Sequence, residues 1–501
     1  MLKERSSTLK LKRLHIDTQF EHIIYMLKDC AVYKSEGLES LSRVQVHINN
    51  RTLIASLNII DNGILQHGEA GLSEGAWKIL HAEEGAEVYI SHLRPSESMK
   101  YVRTKMYGNK LTLENFKEIL SDIISGGYSN VEISAFITAC AGDKLDVDEI
   151  TSLTKAMMET GQKLTWNKDI VVDKHCVGGL PGNRTTPIVV AIVAAAGLTI
   201  PKTSSRAITS PAGTADVLET MTLVNLNPVQ ITDVVSREGG CFTWGGSAKL
   251  SPADDIIIRI ERALDLDSEG QMIASVLSKK SAAGSTHVVI DLPVGKTAKV
   301  RTLKNAEKLK YYFKVVAANM NLKVKVIITD GSQPVGRGIG PALEAMDVLS
   351  VLRNEDEAPM DLRERSVMLA GQILELAGKA KQGQGNKMAL EILNTGSAYE
   401  KFIAVCNAQG GFKEPQPSKQ RVAITADKDG VIKEIDNRKL AKVAKLAGAP
   451  RELSAGVLFL SPLGKKVNKG DVLYYIYAKE PGALNYALEY LATQKDIIVI
   501  D

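Results

Sequence analysis

Cysteine is scarce in this sequence and thinly spread. The five residues (Cys30, Cys140, Cys176, Cys241, Cys406) lie more than thirty positions apart, are odd in number and include no C-x-x-C pair. No disulfide framework and no structural zinc are therefore expected, and a reducing cytoplasm suits the chain. An excess of charge is also missing. Lys+Arg 62 against Asp+Glu 58 leaves +4 over 501 residues, too dilute for the footprint of a nucleic-acid binder. No apolar run reaches the roughly 20 residues a membrane helix needs. The most apolar stretch, from Pro187 to Pro201, is bounded by prolines and reads as a buried core helix. The opening MLKERSSTLKLKRLHID has no apolar core of the secretory kind. Small molecules are the expected partners, with neither membrane nor nucleic acid.

What the chain does have is length and apolar surface: 501 residues, 44% hydrophobic and 24% charged, predict two to four domains. Residues 1–92 alternate short apolar strands with turns and predict a β-rich, barrel-like domain. Six of the eight histidines fall there (His15, His22, His47, His67, His81, His92), none at i, i+4 with a carboxylate partner, so no metal is expected. Helical periodicity marks 105–165 and returns over 252–283, predicting a helical domain built from two segments. Between and after these, 166–251 and 284–409 alternate strand, loop and helix, the grammar of an α/β parallel-sheet domain. Residues 420–501 predict a C-terminal α+β domain. The fold class is thus α/β and multidomain.

The sharpest segment is DIVVDKHCVGGLPGNRTTP, from Asp169 to Pro187. It predicts a strand over Asp169 to Val172, then Lys174 and His175, a loop with Gly178, Gly179 and Gly182, and Thr185 and Thr186 at a helix start. Glycines let backbone approach an anion, and a helix N-terminus and a lysine favour it electrostatically. Neither the P-loop signature nor G-x-G-x-x-G is matched, so a tight turn without a ligand is the competing reading. A second polar cluster, KTSSRAITSPAGTAD from Lys202 to Asp216, follows the next strand, where open α/β sheets bind ligands. Its hydroxyls could equally cap a helix.

Together with Ala274-Ser275-Val276-Leu277-Ser278-Lys279-Lys280, these motifs resemble the thymidine phosphorylase family of nucleoside phosphorylases over roughly residues 100 to 501. The wording TSSRAITSPAGTAD and the extra N-terminal module are similar to the branch holding the second thymidine phosphorylase subfamily and the archaeal AMP phosphorylases. The resemblance implies that Lys174, Thr186, Ser204 and Thr214 hold inorganic phosphate, with Cys176 standing where the pyrimidine enzymes have a serine. It implies His175, Ser275 and Lys279 at the base. From the AMP phosphorylase branch it places Gly179, the run Ser205, Arg206, Ala207, Ile208, Thr209 and Ser210, and Thr214, Ser275 and Lys299 around a nucleotide, with Asp267 as proton donor; in the pyrimidine variant His175 is the acid instead. The base-reading arginine of the pyrimidine enzymes falls on Ile260, with Arg259 and Arg262 nearby.

The implied reaction is phosphorolysis of an N-glycosidic bond without a cofactor, phosphate being the co-substrate, in a homodimer or larger homo-oligomer. Thymidine giving thymine and 2-deoxyribose 1-phosphate is one substrate reading, and AMP giving free base and ribose 1,5-bisphosphate is the other. Because Ser275 and Lys279 come from the inserted helices and Lys174 from the sheet, the site is expected in a cleft between them. A dinucleotide-binding oxidoreductase and a non-catalytic ligand-binding scaffold are the alternatives from other classes.

Overall fold

In the computed structural model, residues 8–501 are described except Phe20, Glu36, Asn62, Ile208, Thr209, Asp265, Asp267 and Lys495, and except the side chains of Ser35 and Arg262. The chain forms two compact units, residues 1–139 and 140–501.

The first unit opens with a closed six-stranded barrel: β1 (Leu9–Arg13), β2 (Ile23–Leu27), β3 (Arg43–Ile48), β4 (Arg51–Ile60), β5 (Glu69–Leu72) and β6 (Glu87–His92), in the order β1-β5-β2-β4-β3-β6. Two of its pairings, β1 with β5 and β2 with β4, are parallel. Period-two patterning sends Val44, Val46 and Ile48 of β3 inward, where they are buried. Helix Leu113–Ser125 follows, started by a capping box between Thr112 and Asn115 and stopped at Gly126, whose φ is +81°. Its buried face is Phe116, Ile119, Leu120 and Ile123.

The second unit is built on parallel strands: β7 (Val172–Cys176), β8 (Ile200–Ser204), β9 (Gly240–Trp244), β10 (His287–Val294) and β11 (Lys323–Asp330). They form two pieces, β11-β10-β7 and β8-β9, joined by a parallel bridge between Val171 and Thr199. The strand expected over Asp169 to Val172 starts only at Val172 and runs through Asp173, Lys174 and His175 to Cys176. Pairing with β10, Val289 opposite Lys174 and Ile290 opposite His175, satisfies the backbone there. Ion pairs described below let the polar side chains stay inside. The helices that matter for the site are α1 (Val147–Glu159), α2 (Thr185–Ala195), α3 (Pro252–Leu264), α4 (Glu269–Ala282) and α5 (Pro341–Leu352). α2 is buried on every side from Thr185 to Ala194, as an all-apolar helix must be. α4 comes from the segment inserted between β9 and β10 and packs on α1. At the C-terminus, strands Arg421–Thr425, Gly456–Phe459 and Val472–Tyr477 make an antiparallel sheet that also takes in Gly338–Ile339. Among the described residues, no helix is long and apolar enough to cross a membrane.

Candidate active site

The loop after β7 turns on glycines at positive φ: Gly178 (+88°), Gly179 (+78°) and Gly182 (+66°). At Gly179 a Cβ would lie 2.5 Å from the backbone nitrogen of Lys299, so this close approach of two loops needs glycine. Lys174 is completely buried, and its Nζ donates to Thr185 Oγ1 at 2.7 Å and Thr186 Oγ1 at 3.4 Å, at the first turn of α2. Burial pulls this ammonium below the ordinary lysine value. The Cys176 thiol, level with Asp291 of β10, accepts a hydrogen bond from Asn183 Nδ2 at 3.3 Å. Burial pushes that thiol up to about 12, so it stays a neutral, weak donor. Ser204 ends β8, opposite Trp244 of β9. The Ser204 hydroxyl is buried with no partner among the described residues.

The polar segment after β8 folds into a loop closed by its own carboxylates. Asp216 Oδ2 accepts from the backbone of Ala207 and Gly213. Arg206 pairs with Glu219 and Asp216 and stacks on Trp244, 5.1 Å from the ring centre. Its charge is thus met within the loop. Ser210 donates to the Ala212 carbonyl, and Ser205 is exposed. Ile208 and Thr209 lie outside the described residues. Thr214 is reached from α2: Arg184 Nη1 donates to its hydroxyl at 2.7 Å.

On the other side, Ser275 Oγ donates to Asp254 Oδ2 at 2.8 Å and Lys279 Nζ meets the same oxygen at 2.6 Å, with Asp255 3.6 Å away. Against burial, the two aspartates hold Lys279 above its ordinary value. Asp173, also fully buried, is flanked by Lys280 at 2.7 Å and Lys202 at 3.2 Å. These two lysines overcome burial and keep its carboxyl below the usual range. His175 is held well below its ordinary value by desolvation and by Lys280, Lys202, Lys174 and Lys279, so it is a neutral imidazole. Lys299 lines a cavity of about 130 Å³ with Ser268, Glu269, Met272 and Asn305. Ile260 is buried. Asp267 lies outside the described residues, as does the Arg262 side chain.

Lys174 and Thr186 therefore share one network, with Arg184 holding Thr214 from the residue before Thr185, and Ser275 and Lys279 share another. The two meet where Lys280, next to Lys279, grips Asp173, next to Lys174. Reading the sequence by motif missed Asp173, Lys202, Lys280, Asp254, Arg184 and Glu344. The available signal was charge inside apolar strands and helices, which is costly unless paired.

Residues 168–399 match the glycosyl transferase family a/b domain, 99–161 its helical bundle domain, and 431–497 the pyrimidine nucleoside phosphorylase C-terminal domain. A protein named "Putative thymidine phosphorylase" from Hahella chejuensis is 55% identical over 493 residues, 98% of each chain. Another of that name from Legionella pneumophila is 53% identical over 498 residues, 99% of this chain and 96% of that one. Among solved structures, anthranilate phosphoribosyltransferase from Thermus thermophilus shares the fold with a TM-score of 0.52 at 19% identity, over 62% of this chain and 98% of that one. The chain belongs to the thymidine phosphorylase family, which displaces the oxidoreductase alternative.

Proposed function

We propose that the protein transfers a pentosyl group from a nucleoside to inorganic phosphate. The observation that supports this most directly is the first turn of α2, where the buried Lys174 ammonium donates to the hydroxyls of Thr185 and Thr186 at a helix N-terminus. Phosphate held there attacks C1′ while the glycosidic bond breaks through a cation-like transition state, and the departing base takes a proton. Ser275 and Lys279, fixed by Asp254, are the base-side groups. His175, neutral among four lysines, hydrogen-bonds the base, and the proton donor is Asp267, or His175 itself in the pyrimidine variant. Positive charge comes from Lys174 and the helix terminus, so turnover needs phosphate, no metal and no organic cofactor. Base release from thymidine in EDTA, with and without phosphate, tests this: equal rates without phosphate would sink it.

The relatives' names point to thymidine, and the pairing of Arg206 with Glu219 and Asp216 removes one cation that a 5′-phosphate could have used. The second reading, a nucleoside 5′-monophosphate, is favoured by Lys299, packed over Gly179 at the edge of a cavity. Side-by-side kcat/KM for thymidine, uridine, AMP and CMP, with Lys299→Ala, separates them. A thymidine preference untouched by Lys299→Ala selects the nucleoside. The protein acts in the cytoplasm as a homodimer or larger homo-oligomer, its size to be read by light scattering.

A further inference from the structure

Arg184 stands at the N-cap of α2, directly before the two threonines that hold Lys174. Its guanidinium is nearly buried, 12% exposed, and is gripped by Glu344, which is 1% exposed on the first turn of α5: Nε and Nη2 both lie 2.7 Å from Glu344 Oε2. The other carboxylate oxygen accepts the Gly340 amide at 3.1 Å. The remaining guanidinium donors go to one place: Nη1 to Thr214 Oγ1 at 2.7 Å and Nη2 to the Ala212 carbonyl at 3.0 Å. Arg184 thus ties α2 and α5 to the loop that ends in Thr214.

A threonine hydroxyl has one proton and two lone pairs and rotates freely unless a neighbour fixes it. A cationic donor at 2.7 Å occupies a lone pair and turns the proton away from itself. Among the described residues nothing accepts that proton. Glu344, whose carboxyl burial pushes up to about 7 even with Arg184 on it, offsets part of the guanidinium charge, and what Arg184 gives Thr214 is chiefly direction. We propose that Arg184, held by Glu344, is the positioning residue that aims the Thr214 hydroxyl at the phosphate co-substrate. This rests on the phosphorolysis reading given above and adds a residue pair to it.

The test is a double-mutant cycle on Arg184→Gln and Thr214→Val, read as the KM for phosphate, the KM for nucleoside, and phosphate affinity by calorimetry. If Arg184 acts through Thr214, each single substitution raises the phosphate KM about tenfold, as loss of one hydrogen bond to an anion does, and the pair together costs no more than Thr214→Val alone. The nucleoside KM stays within about twofold. Should Arg184→Gln fold poorly because it leaves Glu344 buried and unpaired, Arg184→Gln with Glu344→Gln removes both partners and replaces it in the cycle. Additive effects, or an Arg184 loss that persists in full in the Thr214→Val background, would overturn the proposal. Wild-type protein that neither binds phosphate nor needs it for base release would bring down the phosphorolysis reading itself. Wild-type phosphorolysis with an additive cycle brings down this inference alone.

Discussion

Lys174 sits fully buried with no ion pair among the described residues, its Nζ donating to two hydroxyls. Burial holds an ammonium kept this dry below its ordinary value, and a bound anion favours its charged form again. Lys174→Met fills the same space without charge. We expect it to fold and to lose about 10²-fold or more in kcat/KM, the cost of a removed transition-state donor, measured at saturating nucleoside. His175 makes a separate prediction. Its folded value lies below the 6.5 of an ordinary histidine, so below that pH the unfolded chain binds the extra proton. The stability tied to the neutral ring is complete above 6.5 and is lost as the pH falls, by at most about 1.4 kcal/mol per pH unit for one proton. Denaturant unfolding of wild type and His175→Gln between pH 7.5 and 5 reads this as a difference, and parallel acid limbs would refute it.

Strand β7 is where charge and burial meet. Asp173 balances Lys202 and Lys280 at once, so Asp173→Asn leaves two buried cations without a counter-charge, whereas Lys280→Met leaves an Asp173–Lys202 pair. The first should cost about 3–5 kcal/mol of folding stability and the second clearly less. Urea midpoints that fall equally for both would show that the triad is not the tie between β7 and α4. Apolar periodicity made the barrel strand at Val44 to Ile48, the core helix α2 and the strand at His287 legible in the sequence, because each buries one kind of side chain. The polar part of β7 was not legible, since the partners that pay for burying Asp173 come from Lys202 and Lys280, far along the chain. β9 was missed for a related reason: its GCFTW shows no run of branched residues, and only pairing with β8 defines it. In the site, residues on continuous motifs, such as Lys174 with Thr186, could be read directly. Arg184, Glu344 and Asp254 act by contacts across long sequence separations, which periodicity does not reveal.

At the scale of the whole molecule, the barrel has a buried cluster of its own within a compact unit that continues to Ala139. The cluster of buried side chains in the barrel runs from Leu9 to Ile90, with Ile24, Met26, Val46, Leu57 and Val88 among its centre. Closure of six strands leaves no unpaired edge to template aggregation. Parallel pairing of β1 with β5 and of β2 with β4 ties sequence-distant strands, which slows folding. Pro95 follows the last strand and precedes helix Met99–Met106, so a cut there keeps every strand while removing the Gly126 carbonyl that Arg43 of β3 bonds. A fragment of about 95 residues is long enough to bury such a core unaided. Expressed alone, residues 1–95 are expected to give a β-type circular dichroism spectrum, a single cooperative melt, and slow amide exchange at Val46 and Val88. A broad, non-cooperative transition with dye-binding apolar surface would mean instead that the barrel depends on the rest of the chain for its fold.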